Sequence, residues 1–418
     1  MNIHCIGICG QGVSSIAGLL LSQGHRVTGY DAAWFPVVEA LEKKGAVITI
    51  GDIPGEVPAN TEMIITSGSA RYGENHPHKI AARERNIPIH TYTEYLGILS
   101  KKQPTISVCG THGKTTTIGM LATSMTHLRH DPTLLGGAYI PQWNRENYRG
   151  GDGKYLLIES CEYQKNFHNY HPEIILCTNT ELDHTNFYTS EAMYDDAFVE
   201  FFTHAEAIYF HAGDTRTKTN AERAKEINNA LKLFPAEASE DVQLNVIGDH
   251  NQQNAQLVQG FLQSHFNHTS TETQSALQEF RGTARRQEFI GEINGIKVYD
   301  DYGHHPTAMR ETIAAFRAAH LDQQIAAIWE YLPTRSALDP DFIQSLSMAD
   351  FVGVLPPFKF DGAIDAEMAK NVCQKAPSFI PLVDNESFEK LVNQLRPGDI
   401  LLGMGPRLVS QYLRERVE

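Results

Sequence analysis

The chain has no run of eighteen apolar residues, no C-x-x-C pair, no internal repeat and no low-complexity tract. Without a long apolar run no helix is expected to cross a bilayer, and the stretch MNIHCIGICG lacks the basic region of a secretory signal, so a cytoplasmic protein is expected. The six cysteines, at 5, 9, 109, 161, 177 and 373, scatter through apolar runs. That argues against a disulfide framework or a zinc knuckle and for reduced, mostly buried thiols. Positive charge is also short: 35 Lys and Arg against 50 Asp and Glu give a formal net charge of -15. Such a chain repels nucleic acid and anionic membrane, so neither is expected as a partner. An anionic ligand must then be captured locally, by helix N-termini, single basic side chains or Mg2+.

What is present is α/β patterning, with material for about two or three domains. Residues 2–31 read as strand, Gly-rich turn, helix and a second strand ending at Asp31, a Rossmann-type opening. Gly10-x-Gly12 is followed by Ser15 where the dinucleotide fingerprint has Gly or Ala, so the turn signals a phosphate at a helix N-terminus rather than NAD. CGTHGKTTT, residues 109–117, is more specific. A buried strand (TISVCG) precedes it and a helix (TTTIGMLATSMTHLRH) follows, the context a phosphate loop requires. Gly110, Thr111, His112, Gly113, Lys114, Thr115 and Thr116 are the expected nucleotide-binding residues, with Lys114 facing the β/γ phosphates and Thr115 offering its hydroxyl to Mg2+. The spacing is a compact variant of G-x-x-x-x-G-K-[ST], with Val108 where that pattern has its first Gly.

The α/β pattern continues through KYLLIES (154–160), EIILCTN (173–179) and AEAIYF (205–210), while residues 141–153 and 215–223 read as surface excursions. Two acidic clusters, ESCEYQ (159–164) and TNTELDH (178–184), end strands beside the loop. Ligands of parallel sheets gather at that edge, so Glu162 and His184 are candidate ligands for Mg2+ or Mn2+. In GDHNQQNA, Asn251 and Asn254 share one helix face and could read an adenine edge. A third set of elements follows GTARRQEF (282–289): IKVYDDYG, a helix with the stripe Met309, Ile313, Phe316 and His320, then QIAAIWEY, DFVGVLP and GDILLGMG. The fold expected is three consecutive α/β domains, at 1–98, 99–284 and 285–418, the outer two Rossmann-like and the central one a P-loop ATPase.

GTHGKTTT, TNTELDH, GDHNQQNA, ARRQEF and YDDYGHHPT, in this order, resemble the Mur ligase family over essentially the whole chain. GICGQGVSSIAGLL with GYD is most similar to the branch that adds L-alanine to UDP-N-acetylmuramate. The resemblance implies that ATP phosphorylates the lactyl carboxylate of the UDP-sugar and that an amine then attacks the acyl phosphate, in peptidoglycan precursor synthesis. It makes Lys114, Glu162 and His184 catalytic, with ATP as co-substrate and two Mg2+ ions, Thr115 and Glu162 holding one and His184 the other. It assigns Asn251 and Asn254 to adenine, Asp301 to the ribose and Arg286 to the γ-phosphate. Gly10, Gly12 and Asp31 fall to the UDP site, and Tyr302, His304, His305 and Arg335 to the amino acid. The family's E-A-D-E appears as Glu159-Ser160-Cys161-Glu162, and WEYLPTRSALDPDF replaces most of the third-domain pattern of the L-alanine branch. GICG, the aromatic-Pro of DAAWFPVVEAL and RRQE are shared with ligases that recycle murein tripeptide onto UDP-N-acetylmuramate, which leaves the amine open between an amino acid and a short peptide. A non-catalytic nucleotide-sugar-binding member is the third reading.

Overall fold

The computed structural model describes residues 1–143, 146–237, 242–357 and 365–417, with the backbone alone at 334, 337 and 338. The described residues form three sheets, and the chain divides into two compact units, residues 1–243 with 253–281 and residues 244–252 with 282–418.

The first unit opens with β1 (Asn2–Ile6), β2 (Arg26–Asp31), β3 (Val47–Ile50), β4 (Met63–Thr66) and β5 (Ile89–Thr91), all parallel in the order β3-β2-β1-β4-β5. Strand order reverses between β1 and β4, so their carboxyl ends form the crevice where ligands of such sheets bind. The tight turn there is made by Gly7, at φ +72, where a Cβ would lie 2.7 Å from the Tyr72 ring. The helix Gln11–Ser22 follows and buries Val13, Ile16, Leu19 and Leu20 against the sheet.

The second sheet holds β6 (Thr105–Cys109), β7 (Thr133–Ile140), β8 (Glu146–Arg149), β9 (Leu156–Glu159), β10 (Ile174–Cys177), β11 (Ala207–His211) and β12 (Lys232–Ala236), in the order β12-β11-β10-β6-β9-β7-β8. Only β7–β8 is antiparallel. β6 is buried throughout and lies between β9 and β10, so the two acidic clusters flank the loop that follows β6.

Two sequence expectations need correction here. Of residues 141–153, 146–149 form β8, which pairs with β7 through Tyr148 and Arg149; Asn144 and Arg145 lie outside the described residues. Residues 215–223 belong to the helix Thr215–Ile227, capped by the Asp214 side chain on Thr217 N–H. Its buried stripe is Thr217, Asn220, Ala221 and Ala224, small and partly polar, which is why no apolar period marked it.

In the second unit β13 (Glu288–Ile293), β14 (Ile296–Asp301), β15 (Ile325–Glu330), β16 (Phe351–Leu355), β17 (Ile380–Pro381) and β18 (Ile400–Met404) take the order β13-β14-β18-β15-β16-β17, antiparallel only at β13–β14. The helix Pro306–Ala319 packs the expected stripe, with Met309, Ile313 and Phe316 fully buried; His320 is its C-cap.

Candidate functional site

The phosphate loop is shaped by its neighbours. Gly110 takes φ +130, and a Cβ there would lie 2.1 Å from Thr178 Oγ1; Gly113 takes φ +81 beside the Asn254 amide. Only glycine meets both demands at Gly110. The residues after β10 anchor the loop: Thr111 N–H donates to Asn179 O (3.0 Å), His112 N–H to Asn179 Oδ1 (3.0 Å) and Thr111 Oγ1 to Glu181 O (2.6 Å). The His112 ring meets Glu181 at 2.9 Å. Much of TNTELDH therefore holds the loop rather than a ligand, a role its position after β10 leaves unspecified in sequence. Thr115 and Thr116 are buried in the first turn of the helix Lys114–His127, whose N-terminus carries no side-chain cap and leaves N–H groups for an anion.

Lys114 Nζ donates to Gly110 O, to Thr111 O (3.0 Å) and to Glu162 Oε2 (3.0 Å). Burial alone would favour neutral forms of both partners. Their attraction outweighs it, raising the Lys114 ammonium above the usual lysine range and holding the Glu162 carboxyl below the usual carboxylate range. The other oxygen, Glu162 Oε1, is buried without a hydrogen-bond partner and faces His184 Nε2 at 3.4 Å. His184 has φ +53, a left-handed conformation that costs a non-glycine residue about 1–2 kcal/mol, and its ring leans on Tyr163. The strained histidine and the partnerless carboxylate oxygen that it faces, together with the Thr115 hydroxyl in the loop, are oxygen and nitrogen donors of the kind that could serve a small hard cation such as Mg2+ or Mn2+.

At the first sheet, Gly10 is the N-cap of the helix Gln11–Ser22, and a Cβ at Gly12 would strike the Tyr92 ring at 2.6 Å. Asp31 is buried, with Oδ2 accepting Cys9 N–H (2.9 Å) and Oδ1 accepting the Tyr72 hydroxyl (2.7 Å) and Ala33 N–H (3.3 Å). Its carboxylate is thus engaged in shaping the turn.

The two amides expected to share a base divide between the units: Asn254 belongs to the first and Asn251 to the second, both on the helix Asp249–Phe266. Asn251 Nδ2 donates to Ile247 O (2.7 Å), leaving a buried Oδ1 without a hydrogen-bond partner. Asp301 is buried, its oxygens accepting Gln287 N–H (2.9 Å) and Gly303 N–H (2.7 Å). Arg286 lies over the Tyr302 ring at 5.0 Å, between Arg285 and Gln287, which both have positive φ. His304 Nδ1 meets Tyr302 O (3.0 Å), and His305 caps the helix Pro306–Ala319. Arg335 sits in the turn Pro333–Leu338 after β15, on the sheet edge that Tyr302 occupies after β14. The GMGP turn after β18 has the form of a further anion site. It is filled internally: Glu330 Oε2 accepts the N–H groups of Arg407, Leu408 and Val409 at 2.9, 2.8 and 3.2 Å.

Two family models match the chain: "Mur ligase family, catalytic domain" over residues 2–104 and "Mur ligase, glutamate ligase domain" over residues 285–407. A UDP-N-acetylmuramate–L-alanine ligase of Desulfitobacterium hafniense is 30% identical over 97% of this chain and 97% of its own length. One from Jannaschia is 30% identical over 98% of this chain and 94% of its own. Among solved structures, the UDP-N-acetylmuramate-alanine ligase of Thermotoga maritima superposes with a TM-score of 0.81 at 22% identity, covering 99% of this chain and 98% of that one. A murein peptide ligase from Psychrobacter arcticus gives 0.71 at 22% identity, covering 100% and 98%. With full-length relatives at this identity, and with the loop, acidic turns and sheet orders just described, the chain belongs to the Mur ligase family.

Proposed function

We propose that this chain is an ATP-dependent, ADP-forming ligase that joins L-alanine to the lactyl carboxylate of UDP-N-acetylmuramate, acting in the cytoplasm in peptidoglycan precursor synthesis. The observation that carries the reading is Glu162, which pairs with Lys114 through one oxygen and presents the other, unbonded, toward His184 at the mouth of a phosphate loop.

A carboxylate does not accept an amine until one of its oxygens becomes a leaving group. In the proposed reaction that oxygen attacks the γ-phosphorus and the bond to ADP breaks. The amine nitrogen then attacks the carbonyl carbon of the acyl phosphate, the tetrahedral centre expels inorganic phosphate, and the nitrogen loses a proton to leave an amide. The first step brings two anions together. Lys114, released from Gly110 and Thr111, would meet the transferring phosphoryl group, and the N-terminus of the helix Lys114–His127 would hold the neighbouring phosphate. Thr115 and Glu162 would hold one Mg2+ and His184 a second, which supply positive charge between the two anions when bound. We assign the turn at Gly10 and Gly12 to the UDP-sugar and Asn254 to adenine. In the second unit Asn251 and Asp301 would serve the nucleoside, and Tyr302, His304, His305 and Arg335 the incoming amine. The boundaries 1–98, 99–284 and 285–418, one sheet to each segment, are part of the proposal.

Ligation of a murein tripeptide to the same UDP-sugar is the second reading, favoured by GICG, the aromatic-Pro pair and RRQE. ATP-dependent phosphate release with UDP-N-acetylmuramate and a panel of L-alanine, other amino acids and tripeptide tests both. Release with L-alanine supports the first reading, release with tripeptide alone the second, and no release with any amine points to a non-catalytic binding protein.

A further inference from the structure

Glu159 ends β9 three residues before Glu162, and both of its carboxylate oxygens are engaged. Oε1 accepts the Thr115 hydroxyl (2.9 Å) and Oε2 accepts the Gly137 N–H on β7 (3.1 Å). β9 lies between β6, which leads into the phosphate loop, and β7, so the side chain bridges the two neighbours of its own strand. Gly137 permits the approach, because a Cβ there would lie 2.5 Å from Glu159 Oε2.

The Thr115 hydroxyl has one proton and two lone pairs. Once the proton is given to Glu159, both lone pairs point elsewhere, and the oxygen is set to bind a cation rather than to donate into the loop. We infer that Glu159 is a positioning residue for the divalent cation: it acts through Thr115, fixing that hydroxyl as an oxygen ligand without touching the ion. The inference rests on the proposed ATP-dependent reading. Partners that orient a metal's ligands from outside its coordination sphere typically alter affinity by about ten- to a hundred-fold when changed. The chemistry requires a carboxylate. Thr115 O–H and Gly137 N–H both donate, so two acceptors are needed, and a glutamine has one acceptor oxygen with an amide that donates.

The test is Mn2+ binding to the protein–ADP complex, read by the electron paramagnetic resonance of free Mn2+. Glu159→Gln should raise the Mn2+ Kd by about ten-fold or more, and Glu159→Asp, one methylene short of Thr115, should do likewise. The same change in a Thr115→Val background should add nothing, while in a Thr115→Ser background, which keeps the hydroxyl, it should retain its full factor. An unchanged Kd in the folded variants overturns the inference. So does a Glu159→Gln factor that persists undiminished beside Thr115→Val, since that makes Glu159 a direct ligand. If the wild-type protein binds neither ADP nor Mn2+, the ligase reading itself falls and takes this inference with it. A wild type that binds both while Glu159→Gln matches it removes this inference alone.

Discussion

Glu162 faces two partners at once, with Oε2 3.0 Å from Lys114 Nζ and Oε1 3.4 Å from His184 Nε2. The carboxylate is 1% exposed, so the lysine is its compensating charge, and the second oxygen is left without a hydrogen-bond partner. Glu162→Gln should therefore raise the Mg2+ concentration needed for half-maximal phosphate release. His184→Ala should raise it too, without stabilising the fold, because alanine keeps a Cβ at the positive φ; only His184→Gly relieves that conformation. A Mg2+ titration and a melting curve for each variant are the check.

Lys114→Ala should lower turnover by about 100-fold or more, the loss expected for one preorganised contact to a transferring group. UDP-N-acetylmuramate binding, assigned to the first sheet, should be unchanged by calorimetry. Loss of both together in a folded variant would contradict the division of roles.

Arg335→Lys should raise the KM for the amino acid strongly and leave that for ATP nearly unchanged, because a bidentate carboxylate contact is one that lysine cannot reproduce. With a tripeptide, which presents no α-carboxylate at its first residue, the change should be small. Steady-state kinetics with both amines decides it.

The pH prediction comes from the first sheet. His78 Nε2 lies 2.7 Å from Gly55 O, an acceptor, so that nitrogen carries the proton and Nδ1 is bare. His4 Nε2 must then donate to His78 Nδ1 (3.0 Å), and His4 Nδ1 accepts from the Thr28 hydroxyl (2.8 Å). A further proton would have to enter at His4 Nδ1, where the Thr28 hydroxyl must turn from donor to acceptor. Burial first, then the neighbouring His78 and His76, bring its pKa down to about 3 from 6.5. The unfolded chain binds that proton near pH 6.5 and the folded chain does not until about 3, so stability is intact above 6.5 and erodes as pH falls toward 3. His4→Gln should flatten the melting temperature between pH 6.5 and 4; an unchanged slope would remove His4 as the cause.

Gly97→Ala should destabilise the first unit by about 1–3 kcal/mol, since its Cβ would lie 2.3 Å from Asn169 O, a backbone atom that cannot turn aside. Denaturant unfolding is the measurement.

The parts of the molecule that could be read in advance are those where one chemical demand fixes one residue type. CGTHGKTTT specified a strand, a loop and a helix because only glycine tolerates Gly110 and Gly113 there. The stripe Met309, Ile313 and Phe316 specified the helix Pro306–Ala319. β8 escaped because it is four residues long with Tyr148 its one buried apolar side chain, the helix Thr215–Ile227 because its buried residues are polar or small, and β13 because it is an edge strand paired to β14 alone. In the site, Glu162 and His184 were legible as acids and bases at strand ends. The partners Asn179, Glu181 and Glu159 depend on which strands become neighbours, and no local spacing records that.

The carboxylate of Glu330 has a consequence for counting. All three sheets run a strand through a glycine-bearing turn into a helix, the geometry that invites a phosphate. In the third the position is already filled by an internal anion on the N–H groups of Arg407, Leu408 and Val409, and a phosphate arriving there would meet like charge. A saturation experiment with nucleotide and sugar nucleotide should accordingly find two phosphate-bearing ligands per chain and not three. On the proposed reading the repeated wiring would serve twice as a socket, and in the third sheet it is locked by Glu330.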